Sequence, residues 1–281
     1  MKERLKVLKT YKQFIGGEFP RSESGRTYVL LDPRQRPIAN VCLSSRKDFR
    51  EAVVRARAAF DGWSARSGYL RGQILYRLAE LVEDRRELFI RELRQQGATV
   101  AAARRETEQT IDLLIHYAGW GDKYPQLFST VNPVASPHFV FSVPEPVGVV
   151  ALIAPQGGAL LGLVSALGPS LIGGNACVVI ASEKQPLSSI TFAEVCAAGD
   201  VPPGVVAILT GHRRELLPHV AGHMDVDAVV YGGDDREEWK TIQSEASRNV
   251  KRAIRPAADS RTLYRIMDTQ EVKTIWHPVG F

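Results

Sequence analysis

The chain has 281 residues, 44% of them hydrophobic, enough to bury a large core in one domain or two. Its 36 basic and 31 acidic residues leave a net charge of +5, and most basic positions alternate with acidic ones along helical patterns. A nucleic-acid stripe is more one-sided, so no nucleic-acid partner is expected.

In chain order, residues 14–41 read FIGGEFPRSESGRTYVLLDPRQRPIANV, short extended runs separated by Gly, Pro, Asp and Ser. That pattern predicts a β-meander with tight turns at Gly16-Gly17 and Asp32-Pro33. Ser45 can cap a helix over 47–60, with Phe49, Val53, Ala56 and Phe60 on one face. A second long helix is predicted over 70–96 and a third over 99–124. Their charges read as solvated faces with helical ion pairs, and nothing in these helices asks for catalysis. At 131–143, VNPVASPHFVFSV sets a short alternating strand (Phe139, Phe141, Val143) between prolines. It reads as a projecting arm or as a plain surface hairpin. A long exposed edge is normally covered, and another chain is an obvious candidate.

Residues 145–187, EPVGVVALIAPQGGALLGLVSALGPSLIGGNACVVIASEKQPL, organise the remainder. An apolar run (147–154) meets a loop of Gln156, Gly157 and Gly158. A small-residue apolar helix, a Gly-Gly-Asn turn and a second apolar run (177–181) follow. Strand, helix and parallel strand make the crossover from which dinucleotide-binding sheets are built. A helix over 188–198, a proline turn into a third strand within 201–211, a fourth strand in 226–233 and a helix over 234–250 extend the alternation. The fold class is therefore α/β. No run approaches the ~20 apolar residues of a membrane span. The N-terminal MKERLKVLKTYK has no apolar core of signal-peptide length, so a cytoplasmic protein with no membrane partner is expected. Cys42, Cys177 and Cys196 are too few and scattered for a disulfide framework or metal knuckle and read as ordinary core or surface thiols, with Cys177 in a buried strand pattern and Cys196 on the apolar side of a helix read as packed. His219 and His223 have i,i+4 spacing but no third ligand in a recognisable motif, so no metal is expected.

FIGGEF, DP, ARAAFDGW, YAGWGDK, EPVGVV, GGN, PPGVVAILTG and DVDAVVYGG, in this order and spacing, resemble the cofactor-binding part of the aldehyde dehydrogenase superfamily over about 14–252. The resemblance implies a Rossmann-like domain that binds NAD(P), with a separate catalytic domain supplying a cysteine nucleophile and a glutamate that activates water. The matching positions depart from that pattern. The family's first loop reads Pro-Trp-Asn-Phe-Pro, its asparagine stabilising an oxyanion; here Gly157 stands at the asparagine. The lysine and glutamate that hold the adenosine ribose correspond to Ile180 and Glu183, so only Glu183 survives. Phe-Thr-Gly-Ser and a later Gly, which face the pyrophosphate, correspond to Tyr231, Gly232, Gly233, Asp234 and then Glu238. Asp234, Asp235, Glu237 and Glu238 suit a helix N-terminus but repel a dinucleotide, an effect that Arg236 offsets in part. Pro256 stands at the family's glutamate.

No cysteine follows, and the thiol-bearing domain is expected to be missing. The remaining segment resembles the family's C-terminal strand, which pairs with the arm and joins subunits. The implied organisation is a β-meander and helices (1–130), an oligomerisation arm (131–146), a Rossmann-like sheet (147–258) and a C-terminal oligomerisation strand (259–281). The chain resembles the non-catalytic second module of tandem aldehyde dehydrogenases. No catalytic residue is assigned. Glu183, with Gly157, Ile180, Gly233 and Asp234, marks a vestigial cofactor site, with NAD or NADP not expected to bind strongly. Phe139, Phe141, Val143, Val272, Thr274 and Trp276 carry oligomerisation. The expected role is a catalytically incompetent structural or regulatory subunit, forming a homodimer or joining a full-length aldehyde dehydrogenase. The alternative is an NAD(P)-binding subunit of a composite enzyme.

Overall fold

The computed structural model describes residues 7–256 and 261–280. The first half of the basic N-terminal segment and the expected boundary at 258/259 lie outside the described residues.

β1 (Thr10–Tyr11), β2 (Thr27–Leu31) and β3 (Pro37–Cys42) form a small sheet in the order β1-β3-β2. β2 and β3 are antiparallel, and the turn between them is closed by Asp32, whose carboxylate accepts from the Arg34 and Arg36 backbone N–H groups at 2.8 and 2.9 Å. The expected meander is incomplete, because β1 runs parallel to β3. Phe14 instead exchanges two backbone hydrogen bonds of 2.9 Å with Ile208, tying FIGGEF to the large sheet.

α1 (Arg46–Ser64) begins at a capping box: Ser45 accepts from the Asp48 N–H while Asp48 accepts from the Ser45 N–H. The helix expected over 70–96 is two, α2 (Gly68–Asp84) and α3 (Arg86–Gln95). Arg85, at φ −99° and ψ 16°, leaves the helical well, and beyond this break Phe89, Ile90 and Leu93 are buried in the core. α4 (Val100–Ala118) is capped by Thr99 and stops at Gly119, short of the expected Tyr124. Two glycines in HYAGWGDK favour a turn there, and α5 (Tyr124–Phe128) is a separate short helix.

After β4 (Thr130–Val131) and β5 (His138–Pro146) comes the crossover of β6 (Val149–Ile153), α6 (Ala159–Ile172) and β7 (Ala176–Ile180). The chain continues through α7 (Leu187–Ala198), β8 (Val206–Leu209), α8 (Arg213–Gly222), β9 (Ala228–Tyr231), α9 (Arg236–Ser247) and β10 (Arg252–Ile254). The five strands are all parallel, in the order β10-β9-β6-β7-β8. Each residue of β6 and β7 is buried because helices cover both faces. Val150, Leu152, Cys177 and Val179 face the cluster built with α2, α3, α4, α6 and α7; Val149, Ala151, Val178 and Ile180 face α1, α8 and α9.

α10 (Tyr264–Met267) leads into β11 (Gln270–Pro278), and each residue of β11 pairs antiparallel with β5, from Gln270↔Pro146 to Pro278↔His138. The alternating strand at Phe139 to Val143 therefore lies in β5, the middle strand of a three-stranded sheet in the order β11-β5-β4, with more order than a plain hairpin.

The arm is rooted in the core chiefly around one buried side chain. Asn175, fully buried in the Gly-Gly-Asn turn, donates to the carbonyls of Ser170 and Thr269 and to Thr269 Oγ1, each at 3.1 Å, and accepts from the Gly148 N–H at 3.1 Å. Replacing it leaves the Gly148 N–H and Thr269 Oγ1 without this partner, each costing about 1–3 kcal/mol. Asn175→Ala is expected to lower stability in urea unfolding by about 2–4 kcal/mol; a loss under about 0.5 kcal/mol, the range of an unremarkable surface change, would show that the turn is not a root.

Candidate functional site at the carboxyl edge of the parallel sheet

In a sheet of this type ligands sit beyond the carboxyl ends of the strands, where the strand order reverses. Here the reversal lies between β6 and β9, because β6 leads outward to β7 and β8 and the chain then returns to β9. The loops after β6, β7, β8 and β9 define the candidate site.

The β6 loop holds Gly157 and Gly158. Gly158 is the N-cap of α6 at φ +59°, a left-handed conformation that glycine adopts without steric cost. A Cβ on Gly157 would meet nothing within 4 Å, so this position is open and carries no side-chain donor. With no capping side chain at Gly158, Glu106 of α4 does the work: one carboxylate oxygen accepts from the Leu160 and Leu161 N–H groups at 2.9 and 3.3 Å. Burial pushes the Glu106 carboxyl above its ordinary value, against the opposing pull of these two bonds.

Gln156 binds the β6 loop to the β7 loop, its side-chain oxygen accepting from the Glu183 and Lys184 N–H groups at 3.1 and 3.3 Å. Ile180 is buried within β7 and offers no polar atom. Glu183 faces the neighbouring loop: one oxygen lies 2.5 Å from His212 Nδ1, and the other accepts from the Arg213 N–H at 3.2 Å. Glu183 thus serves the N-terminus of α8.

The helix expected over 234–250 runs over 236–247, because Asp235 is its N-cap with an extended ψ of 125° and accepts from the Glu237 and Glu238 N–H groups at 2.8 and 3.0 Å. Asp234 is exposed and lies outside the helix. Gly233 passes so close to the Tyr231 ring that an added Cβ would lie 2.5 Å from it, which requires glycine there. Tyr231 donates to Glu238 at 2.6 Å, and Arg213 Nη1 stands 3.6 Å from the same carboxylate. Helix α8 and Arg213 escaped the sequence reading. RRELLPHVAG carries Pro218 and a weak apolar face, and only a cationic residue directly after the third strand's loop could have flagged it.

Pro256 lies just past the carboxyl end of β10, at this edge; the other candidates lie apart from it. Cys42, Cys177 and Cys196 are all buried, and burial pushes each thiol up, away from the thiolate a nucleophile needs. Among the described residues no group of three or more His, Cys, Asp or Glu gathers as a metal site, and no helix is long and apolar enough to cross a membrane. Phe139, Phe141, Val143, Val272, Thr274 and Trp276 come together in the arm. Ser142 and Thr274 hydroxyls meet at 2.8 Å, Lys273 pairs with Glu145 at 2.6 Å, and the Trp276 ring lies edge-on to His138.

The aldehyde dehydrogenase family model matches residues 19–257. The chain belongs to the aldehyde dehydrogenase family. It is 34% identical over 248 residues to aldehyde dehydrogenase, cytosolic 1, of Elephantulus edwardii, covering 86% of this chain and 49% of that one. It is 31% identical over 250 residues to omega-crystallin of Enteroctopus dofleini, covering 87% and 50%. The NAD+ complex of a Bacillus cereus aldehyde dehydrogenase superposes with a TM-score of 0.83 at 27% identity, over 87% of this chain and 50% of that one. The chain thus spans about half the length of the relatives it matches. The arm strand β11 lies beyond the matched residues.

Glu106 gives this edge a pH signature. Its carboxyl is raised in the folded protein, so its contribution is fully present below the ordinary glutamate value near 4.5 and is lost as pH rises through the higher folded value. Glu106→Gln keeps a cap acceptor without the charge. In thermal melts it is expected to match or exceed the parent protein at pH 7, with that advantage gone below pH 4. A variant clearly less stable at pH 7 and equal at low pH would reverse the assignment.

Proposed function

We propose that this chain is a catalytically incompetent aldehyde dehydrogenase homologue that acts as a structural or regulatory subunit through its arm. Its partners are a second copy of itself or a full-length aldehyde dehydrogenase. The observation that carries this reading is the state of β11. It lies at the edge of its sheet, paired with β5 on one side, and Glu271 to Pro278 are all exposed. By strand alternation Phe139, Phe141, Val143 and Ile275 share one face, where Phe139 and Ile275 are 47% and 40% exposed. Trp276 on the other face is 57% exposed. A long apolar edge of this kind invites strand addition or a covering partner.

The chemistry supports the same reading. The chain passes from β10 to the arm strand across residues 255–269, which contain no cysteine. No thiol elsewhere is exposed, glycine replaces the oxyanion donor of the family pattern, and proline replaces its glutamate. A second reading, an NAD(P)-binding subunit of a composite enzyme, has the Bacillus cereus NAD+ complex in its favour. It requires the carboxyl edge to admit a dinucleotide.

The test is co-purification of the tagged chain with a full-length aldehyde dehydrogenase of the same organism, alongside the mass of the chain alone. Association is expected to weaken at least about tenfold (~1.4 kcal/mol) in Phe139→Lys/Ile275→Lys. The chain alone is expected to show no NAD-dependent aldehyde oxidation. A strictly monomeric chain that captures no dehydrogenase, or one that oxidises aldehydes unaided, would sink the proposal.

A further inference from the structure

Arg213 is the first residue of α8, and its side chain is only 2% exposed. A guanidinium taken out of water to this degree needs a reason, since it requires partners to offset lost hydration. Its Nη1 reaches Glu238 in the first turn of α9, while Nε and Nη2 have no hydrogen-bond partner. Burial accordingly pulls the Arg213 pKa down, with Glu238 as the main opposing influence. Glu238 is shared: it also accepts from the Tyr231 hydroxyl, which in turn accepts from the Asp235 N–H at 3.1 Å. Tyr231 stacks on Trp239 with ring centres 6.0 Å apart, and Arg255 lies over both rings at 6.0 and 5.6 Å. Through Arg213, Glu238 and Tyr231 the start of α8, the first turn of α9 and the end of β9 are joined side chain to side chain.

We infer that the dinucleotide crevice of this chain is closed from within by an Arg213–Glu238–Tyr231 clasp. Two facts make closure the better description than simple decay of a site. First, the two charged residues are reciprocal, a cation on one helix and an anion on the other, and Glu238 is the foremost of the charges that offset the burial of Arg213, ahead of Glu183. Second, the groups that would bind a diphosphate are already committed. The free N–H groups of α9 bind Asp235, and Asp234, Asp235, Glu237 and Glu238 set four carboxylates where a ligand's negative charge would lie. The residues present therefore do not fit the dinucleotide that the family implies. The clasp ties the two helices together in its place. The inference goes beyond the assembly reading, and the variants below leave the arm untouched, so the two stand or fall separately.

Calorimetric titration with NAD and with NADP tests it on the full chain. The parent protein is expected to give no binding heat. Arg213→Ala/Glu238→Ala, which removes both charges together, is expected to stay folded and to raise amide exchange at the start of α8 and in the first turn of α9 at least about tenfold, because the link between the two helices is gone. Glu238→Ala alone is expected to melt lower than the double variant, because it leaves Arg213 buried and unpaired. Binding of NAD by the parent protein, or a folded double variant whose exchange at the two helix starts is unchanged, overturns the proposal. If the double variant does not fold, Tyr231→Phe, which removes one hydroxyl, carries the test: amide exchange in the first turn of α9 rises about tenfold, and unchanged exchange there overturns the clasp.

Discussion

The structure depends on one buried amide. Asn175 ends the crossover, and its side chain holds the carboxyl end of α6, the backbone before β6 and the residue that precedes β11. Hydrogen bonds to buried backbone groups are worth little net when made and much when lost, so this turn tolerates few substitutes. Its neighbours extend the constraint. Gln270 donates to the Gly173 carbonyl, and Arg71, itself buried, donates to the Ile172 carbonyl at 2.9 Å. The arm is thus fixed at its base to the most buried part of the sheet, and its free edge is presented by a rigid support.

The opposite end of the sheet is organised by contacts between successive loops. Gln156 joins the loop after β6 to that after β7, Glu183 joins the latter to α8, and Arg213 with Glu238 joins α8 to α9. Most of these links involve a charged or amide side chain satisfying a helix start or a neighbouring charge, the kind of arrangement that stabilises a closed surface. A site built to take a ligand would instead leave helix N-terminal N–H groups free. The carboxyl edge therefore has the geometry of a crossover sheet with its polar groups turned to each other.

Much of the fold was legible because its determinants are local. The buried runs of β6 and β7, the Ser45 cap and the proline-flanked strand at Phe139 each announce themselves by period or by a single residue type. The break at Arg85 did not, since nothing in LVEDRRELF interrupts the helical period; tertiary packing of Phe89 and Leu93 decides it. Helix α8 was hidden by Pro218 and a weak apolar face. At the candidate site, the lack of a side-chain donor at Gly157 and of a polar atom at Ile180 could be read from the sequence alone. The new attachment of Glu183 to His212 and the pairing of Arg213 with Glu238 could not, because partners about 25 to 30 residues apart meet only once the strands are in order.

The arm is where this account is most exposed, because its apolar edge has meaning only if something covers it. The most direct measurement is sedimentation velocity of the isolated chain over a wide concentration range. A dimer that dissociates on dilution is predicted, and replacing Trp276 with Lys should shift the midpoint to higher concentration. A single-chain species at every concentration, with or without a full-length aldehyde dehydrogenase added, would contradict the claim that this half-length chain is built to assemble.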